Sequence, residues 1–569
     1  MTAVVVPLPS RDRPTAGAVL LLGIVLAALT EAIAGTVLAL GRSDIIGDTS
    51  ATPDEFAWLD IGYTTLKLIG FVTAPWLMSR IDPRNLIIAA TLTMGLASGI
   101  AAMTARLDLL IALRIVQGFC GGALLIAGQA LVFLRYPRAH QPLLQALFAM
   151  GAVVAPATIA PALQGWLVDT HSWTWIFFGI VPLALAAAGL LLIADGPKSA
   201  KEAPRPFDWA GFALISVTFF CVSYVLSQGS RWDWFEEPRI LWLALLGVAA
   251  LLAFLGRQVM AKGRGLLDFS IFGANDFTFA FIVSFVAGAA LSGSGFLLPS
   301  FAVSVLALTP TDAGLLLFPS GAAFIGTLLL AACLIQFRHL PPFATVPFGI
   351  LIFMVAMWLL SGSSSESGAH DMMTAVLLRG FGLGFLFLSI NLIAFSDLPS
   401  RGLASGIGLF NTGRQLGGLM GIAALQTLID HHTIANLSVL GANIAAGRPA
   451  VMERLATMTA LLTAKGMDAV AASRAAASFL GRLVTGQSAV IAFDTAFNAV
   501  ALLFVVAAPL LVAIKIGLHK YAHAHHAAGH GPAPAEPIPL QPRAPVQEQA
   551  HTAPAPAEPL SGGAQSIRL

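Results

Sequence analysis

The sequence predicts an all-α membrane protein with fourteen transmembrane helices, and three observations support this fold class. The chain has 569 residues, of which 57% are hydrophobic and only 11% are charged. Soluble domains have about a quarter charged residues, so this composition is typical of a protein embedded in a lipid bilayer. Apolar stretches of about 20 residues, the length that spans a bilayer, recur along the chain. Lysine and arginine are concentrated in alternate loops between these stretches.

Each predicted helix corresponds to one of these apolar stretches. The fourteen helices cover residues 17–40, 58–78, 86–104, 109–134, 142–168, 174–194, 209–228, 240–256, 277–306, 312–335, 342–360, 372–395, 403–428 and 488–514. The cysteines lie within apolar stretches and have no metal-ligand spacing, so we expect neither a disulfide framework nor a metal site.

Loop charges predict the orientation of the chain. With the N-terminus inside, the short cytoplasmic loops contain Arg80, Arg84, Arg135, Arg138, Lys198, Lys201, Arg205, Arg257, Lys262, Arg264, Arg338 and Arg401. The opposite short loops contain only Arg42, Arg106, Arg231 and Arg239. This bias follows the positive-inside rule, so we expect a multi-pass protein of the cell inner membrane with both termini in the cytoplasm.

Two segments differ from the membrane-spanning pattern. Residues 429–487 have too many charged side chains to cross a bilayer, and their alanine-rich stretches predict amphipathic helices outside the membrane. Residues 517–569 are rich in Pro, Ala and His without periodic apolar residues, which predicts a disordered cytoplasmic tail. We interpret the histidines near the start of this tail as a solvated cluster rather than a metal site.

The fifth predicted helix combines small residues with two prolines. Gly151 and Ala155 are four residues apart, as are Pro161 and Gly165, so small side chains share a face and allow close helix packing. Pro156 and Pro161 remove backbone donors, and a membrane bundle can satisfy the freed carbonyls. Two interpretations follow: a joint between moving halves of the protein, or a kinked helix that is only tightly packed.

Charged side chains near the bilayer centre cost free energy and therefore suggest a function. Glu31 lies midway along the first predicted helix, and Lys67 in the second helix is a candidate partner for it. A carboxylate in this setting can take up and release a proton when its exposure changes. The alternative is a static ion pair. Asp60, near the outer end of the second helix, is interpreted as a solvated interfacial carboxylate.

Three arginines also lie within predicted helices: Arg114, Arg379 and Arg414. Because a guanidinium does not titrate in a useful range, these side chains would act electrostatically, either on a nearby carboxylate or on a carbonyl or anion. The alternative is a packing or snorkelling arginine. Arg114 and Arg379 each precede a glycine-rich stretch, which is a weak sign of an internal repeat.

These motifs resemble the fourteen-helix drug:proton antiporter family of the major facilitator superfamily, the EmrB/QacA-like transporters. Residues 114–122, RIVQGFCGG, are similar to the signature of the family's fourth helix, whose arginine is associated with proton coupling. Residues 151–166 are similar to its antiporter motif in the fifth helix, with Gly151, Ala155, Pro156, Ala160, Pro161 and Gly165 in place. Residues 172–177 and 414–418 also resemble family patterns.

The resemblance assigns roles to further residues. Gly118, Gly121 and Gly122 in the fourth helix are expected to pack against neighbouring helices. Gly413, Gly417 and Gly421 in the thirteenth helix are four residues apart, and this spacing by itself predicts a small-residue face for close packing. The loop after the second helix, which forms an inner gate in the family, contains Arg80, Asp82 and Arg84, and the acidic residue of the family's gate is either displaced or lost. In the first helix, residues 30–35 with Glu31 replace the family's aspartate motif.

The resemblance also implies a domain organisation of two six-helix bundles and two extra central helices. The expected parts are a cytoplasmic N-terminus (1–16), the first bundle (17–194), a linker with the extra helices (195–276), the second bundle (277–516) and the tail (517–569). The second bundle would include an extracytoplasmic insertion, residues 429–487.

The expected function is secondary active transport by alternating access: proton-coupled efflux of small amphipathic or apolar compounds, without a cofactor. A carrier of the same fold for one metabolite or siderophore is the nearest alternative. A membrane-embedded enzyme or receptor is remote, because the sequence contains no HExxH, no GxSxG in a strand–turn–helix context and no phosphate-binding loop. The insertion 429–487 would either bind a periplasmic adaptor of a tripartite pump or form a lid.

Overall fold

The computed structural model describes residues 14–38, 41–194, 206–260, 266–273, 275–395, 398–444 and 448–529, and these residues contain helices and no β-strand. The helices are α1 (Pro14–Thr36), α2 (Arg42–Thr49), α3 (Pro53–Arg80), α4 (Pro83–Ala101), α5 (Leu107–Arg135), α6 (Gln141–Ala149), a π-helical segment (Met150–Ile159), α7 (Ala160–Thr170), α8 (Thr174–Ile193), α9 (Trp209–Gln228), α10 (Pro238–Met260), α11 (Asn275–Ser304), α12 (Pro310–Arg338), α13 (Pro342–Leu360), α14 (Ala369–Phe395), α15 (Ser400–Ala442), α16 (Pro449–Ala464) and α17 (Ala469–Gly529).

The predicted all-α membrane fold is confirmed, whereas the number of fourteen spans is not. Twelve helical stretches of the described residues are long and apolar enough to cross a membrane. The predicted spans 58–78 and 403–428 lie within α3 and α15, which are helical over these residues but are not among the twelve. Both helices contain charged side chains, among them Lys67 and Arg414, that lower their hydropathy. Fourteen spans therefore stays a prediction.

Two sets of helices pack together within the compact unit Met1–His519. In the first set, α5 packs against α3 and α4, and α8 packs against α1 and α4. In the second set, α11 packs against α15, and α14 packs against α12 and α13. The π-helical segment and α7 contact α12, and α3 contacts α15, so these two contacts join the sets. The extra pair α9 and α10 pack against each other, and α9 also contacts α3.

The close packing of α3 on α5 and of α11 on α15 requires glycine. A Cβ at Gly118 would collide with the backbone carbonyl of Tyr63, and a Cβ at Gly417 would collide with that of Phe285. A backbone oxygen cannot move aside by changing rotamer, so these two positions bring the paired helices into backbone contact.

The described part of the insertion 429–487 consists of the end of α15, the helix α16 and the start of α17, joined by short non-helical turns. At about 1.5 Å per residue, the 43 residues of α15 measure about 65 Å, which exceeds the hydrocarbon thickness of about 30 Å. The helix α16 contains no buried residue. The helix α17 continues to Gly529, beyond residue 517, where the tail was predicted to begin. The remainder of the tail, and the side chains of its histidine cluster, lie outside the described residues, as do residues 1–13.

Candidate functional site

The carboxylate of Glu31 is buried between α1 and α3. Glu31 is 2% exposed, and its Oε1 atom lies 2.6 Å from Nζ of Lys67. The hydroxyl of Tyr63 donates a hydrogen bond of 2.8 Å to the same oxygen. Tyr63 and Lys67 are four residues apart, so both project from one face of α3 towards α1. The structure therefore places the predicted partner, Lys67, beside Glu31 and adds a phenol to the pair.

Arg114 lies on the other side of the Tyr63 ring. Its guanidinium carbon is 4.0 Å from the ring centroid, which is a cation–π contact. Nη1 donates to the backbone carbonyl of Ala34 at 2.7 Å and to Oε1 of Gln117 at 3.1 Å. Ala34 lies in the last turn of α1, where carbonyls have no partner within the helix and can accept such bonds. Arg114 thus ties α5 to the end of α1.

Tyr63 is the functional candidate that the sequence reasoning missed. It contacts both Glu31 and Arg114, although these two residues are far apart in the sequence. The available signal was its spacing of four residues from Lys67, together with the scarcity of tyrosine, since the chain contains only 4. The side chain of Asp60, one turn earlier on α3, is not covered by other described residues and lies within electrostatic range of Lys67 and Arg114.

Arg414 is the charged side chain of the second set of helices that lies within electrostatic range of Glu31. Its guanidinium lies 5.0 Å from the ring centroid of Phe387, donates a hydrogen bond to Asn411 and interacts electrostatically with Glu31. Arg379 is elsewhere: it contacts Ser294 and Ser320 and no residue of the Glu31 group. Of the predicted charged residues, Glu31 and Lys67 are in contact and Arg114 joins them through the Tyr63 ring. Arg414 lies within electrostatic range of Glu31 but contacts Asn411 and Phe387, and Arg379 has separate contacts.

Buried amide side chains link the two sets of helices beside Arg414. Asn411 on α15 donates to Oε1 of Gln129 on α5 at 3.1 Å. Gln129 in turn donates to Gln145, and Gln145 donates to Gln141, both on α6. Buried polar groups of this kind are costly when their partners are lost. The chain of amides therefore favours the arrangement in which α5 and α15 are in contact.

The predicted antiporter motif lies between α1 and α12. Residues Met150–Ile159 form a π-helical segment, and α7 follows it. Pro156 has no N–H to donate, and a π-helical register is one way in which a membrane helix accommodates such a position. A Cβ at Gly151 would meet the carbonyl of Val25 on α1, and a Cβ at Gly165 would meet that of Pro310 on α12. The small residues thus contact both sets of helices.

One side chain of this motif also reaches the end of α1. Gln164 donates to the carbonyl of Ile33 at 3.2 Å and to the hydroxyl of Thr36 at 3.0 Å. Both acceptors lie within about a turn and a half of Glu31 along α1. The last turns of α1 therefore connect the carboxylate, Arg114 and the interface helix α7.

The predicted inner-gate residues lie at the turn between α3 and α4. Asp82 caps α4 by accepting from the backbone N–H of Arg84 at 3.0 Å. The side chain of Arg84 donates to the carbonyls of Leu191 and Leu192 at the end of α8. The guanidinium of Arg80 lies 5.2 Å from the ring centroid of Trp76. These contacts order the turn locally.

Residues 20–422 match the family described as Major Facilitator Superfamily. The chain is 25% identical to the colistin resistance protein EmrB of Acinetobacter baumannii over 487 residues, which are 84% of this chain and 93% of that protein. It is 25% identical to the multidrug export protein EmrB of Escherichia coli over 427 residues, 74% of this chain and 82% of the relative.

Two further similarities cover most of the chain. The fatty acid resistance protein FarB of Neisseria gonorrhoeae is 24% identical over 501 residues, 88% of this chain and 96% of FarB. Among solved structures, an inward-facing, unoccupied bacterial homologue of the human lysosomal transporter Spinster superimposes with a TM-score of 0.51. That alignment covers 90% of this chain and 98% of the homologue at 14% identity, so it shows a common fold.

Proposed function

The chain belongs to the Major Facilitator Superfamily, and we propose that within this superfamily it is a proton-coupled exporter of small amphipathic or apolar organic compounds. Family membership makes it a multi-pass membrane transporter of small molecules and not an enzyme. Export is supported by relatives that are named multidrug export and resistance proteins. We place the protein in the inner membrane with cytoplasmic termini, on the loop charges alone.

The observation that carries the proposal is the pair of contacts at Oε1 of Glu31. A buried carboxylate held by an ammonium and a phenol can accept a proton, and protonation removes the attraction that fixes Lys67. The membrane potential supplies about 2.3 kcal/mol per charge per 100 mV, which is sufficient to drive a modest gradient of substrate with each proton.

Protonation must change the contacts between the two sets of helices if it is to drive alternating access. The last turns of α1 provide the connection, because Glu31 shares this short stretch with the acceptors of Arg114 and Gln164. In our proposal, loss of the Glu31–Lys67 attraction lets the end of α1 move. The π-helical segment and α7, packed against both α1 and α12, transmit this movement to the second set of helices.

We further propose that the insertion 429–487 binds a periplasmic adaptor protein. Its helices extend beyond the length that a bilayer covers, and they expose large apolar side chains at Met452, Leu461, Val470 and Phe479. Exposed apolar side chains on a projecting segment are typical of a protein-binding surface. If the insertion is deleted and substrate is still carried in vesicles but no longer expelled from cells, the adaptor is supported. Unchanged expulsion rules it out.

The experiment for the proposed function is a substrate screen in a host that lacks its own drug pumps. Expression of the chain should raise the tolerance of the host to several chemically different apolar compounds, and a proton uncoupler should abolish their efflux. Efflux that survives the uncoupler would reject proton coupling. Efflux of one compound alone would favour the carrier of a single metabolite or siderophore.

A further inference from the structure

The segment between α9 and α10, residues 229–237, lies at the end of the molecule that the loop charges place outside. Near its start, Ser230 and Arg231 are consecutive, yet they contact different sets of helices. The hydroxyl of Ser230 donates to Oδ2 of Asp430 on α15 at 2.8 Å. Nε of Arg231 lies 3.2 Å from Oδ1 of Asp54 in the first turn of α3. This segment, here called the strap, therefore connects the second set of helices to the first.

A second hydrogen bond fastens the strap to α15. Nε1 of the Trp234 indole donates to the hydroxyl of Thr427 at 3.0 Å. Thr427 and Asp430 are three residues apart and therefore share one face of α15. The other oxygen of Asp430 accepts from Gln426 at 2.8 Å, which orients the carboxylate towards Ser230. The strap thus makes two partly buried hydrogen bonds to one face of α15.

The backbone of the strap holds the Trp234 indole in place at a conformational cost. Asp233 and Trp234 have φ angles of 48° and 55°, in the left-handed region that residues other than glycine rarely adopt. The N–H of Trp234 donates to the carbonyl of Gly229 at 2.8 Å, and a Cβ at Gly229 would collide with the indole. Strained backbone persists where the surrounding contacts over-determine it, and it clusters at clamps and switches. The strap is therefore a specified structure.

The extra pair of helices is attached unequally to the two sets. The helix α9 packs along α3, where the ring centroid of Trp58 lies 6.1 Å from that of Phe220 and 5.6 Å from that of Tyr224. Aromatic pairs of this kind bury large areas of apolar surface. At the strap, by contrast, two hydrogen bonds hold α15. When the two sets separate at their outer ends, α9 and α10 would therefore stay with α3, and the bonds from the strap to α15 would break.

We propose that the strap is an outer latch, which holds α15 to α3 at the outer face and releases α15 each time the outer ends of the two sets separate during transport. This proposal rests on the alternating access proposed above, and it is independent of which residue binds the proton and of which compound is carried. Towards their inner ends, α5 and α15 are joined separately by Gln129 and Asn411, so release of the latch opens the outer side alone.

The test measures the separation of the outer ends of the two sets in the full chain in nanodiscs, without substrate and without a pH gradient. Spin labels are attached at Met103→Cys, after α4, and at Glu366→Cys, between α13 and α14, because both side chains are exposed. The native cysteines are replaced by alanine in this background. Double electron–electron resonance then gives the ratio of molecules with a long separation to those with a short one.

Removal of the two latch bonds should raise this ratio. Ser230→Ala combined with Trp234→Phe deletes one charge-assisted and one neutral hydrogen bond and leaves α15 unchanged, so the ratio should rise about 10-fold or more. Arg231→Gln loses only an exposed ion pair and should change the ratio by less than about 5-fold. The matched control, Ser227→Ala combined with Trp232→Phe, alters exposed neighbours and should leave the ratio as in wild type.

A locked latch should have the opposite effect. Ser230→Cys and Asp430→Cys, introduced together without spin labels in the cysteine-free background, should form a disulfide on oxidation, because the two native side chains are in contact. The cross-linked protein should lose nearly all transport in proteoliposomes and regain it on reduction with dithiothreitol. Each single cysteine variant is the control, and its transport rate should not change when the oxidant is added.

The proposal is overturned if the wild-type ratio persists in the variant that carries Ser230→Ala and Trp234→Phe, or if the matched control shifts the ratio as much. It is also overturned if the two cysteines do not cross-link, or if cross-linked and reduced protein transport at the same rate. The distance measurement uses neither substrate nor a proton gradient. Transport that is independent of a proton gradient would therefore reject the proposed function and leave the latch, whereas unchanged distances would reject the latch alone.

Discussion

Tyr63 donates a hydrogen bond of 2.8 Å to the carboxylate of Glu31, and it does so from the helix that also supplies Lys67. The aromatic ring of Tyr63 also makes a contact: it lies under the guanidinium of Arg114. Tyr63 therefore connects the proposed proton site to the arginine of the fourth predicted span through one side chain.

We expect Tyr63→Phe to reduce pH-gradient-driven transport several-fold while the protein remains folded. The substitution removes the hydroxyl that binds Glu31 and keeps the ring under Arg114, and one hydrogen bond to a charged group contributes about 1.5–3 kcal/mol. The measurement is initial transport rate in proteoliposomes. Tyr136→Phe is the matched control, because its hydroxyl binds the carbonyl of Gly17 away from the site. Equal rates for the two variants would show that the Tyr63 hydroxyl has no functional role.

Gly417→Ala should destabilise the packing of α11 on α15. The added methyl group would collide with the carbonyl of Phe285, and overpacking of a dense interior costs about 1–3 kcal/mol. The effect would be read as a lower unfolding temperature of the purified protein. Gly179→Ala, also in a helix but with nothing within 4 Å of the new Cβ, should be neutral or slightly stabilising. Equal unfolding temperatures of Gly417→Ala and wild-type protein would contradict the backbone contact between α11 and α15.

Gln129 and Asn411 should be energetically coupled through the hydrogen bond between them. A double-mutant cycle of Gln129→Leu and Asn411→Leu is expected to give a coupling of about 0.5–1.5 kcal/mol, because each single variant leaves the other amide without its partner. Stability would be measured by thermal unfolding of the four proteins. Additive effects would show that the two side chains do not interact across the helix sets.

Asp208, at the N-terminus of α9, should make stability depend on pH. Burial by itself raises the pKa of this carboxyl, but hydrogen bonds from Arg257 and from the amide of Gly211 outweigh burial and lower it overall. The contribution of ionised Asp208 to the free energy of unfolding is therefore fully present above the unfolded pKa of about 3.9. It is lost as the pH falls through the lower pKa of the folded protein. Asp208→Asn should lower the unfolding temperature at neutral pH, with a smaller difference near pH 3. A difference independent of pH would contradict an ionised Asp208.

The sequence predicted the fold class and part of the site, and the reasons are visible in particular residues. The Glu31–Lys67 pair was predictable, because isolated charges in apolar helices need partners. The role of Tyr63 was not, since an apolar ring with one hydroxyl gives no charge signal until the facing helices are known. The hydrogen-bond partners of Arg379 were likewise not predictable, because Ser294 and Ser320 are remote from it in sequence.

Local structure was predicted less completely in the antiporter motif. Its two prolines indicated a bend, and the structure has a π-helical segment at Met150–Ile159. A proline inside a helix is accommodated by a kink or by a π-helical turn, and the sequence alone does not distinguish the two. The amide chain from Gln141 to Asn411 was also missed, because an amide has no charge and the partners of Gln129 are on other helices.

The most direct test of the central claim is the rate of pH-gradient-driven transport by Glu31→Gln in proteoliposomes, compared with wild-type protein and with Glu366→Gln. Glu366 is an exposed residue between α13 and α14, so its substitution controls for the loss of one carboxylate. The proposed mechanism predicts that Glu31→Gln loses gradient-driven transport while it still binds substrate, and that Glu366→Gln behaves as wild type. Transport by Glu31→Gln at the wild-type rate, and with the wild-type dependence on the gradient, would contradict the assignment of Glu31 as the proton site.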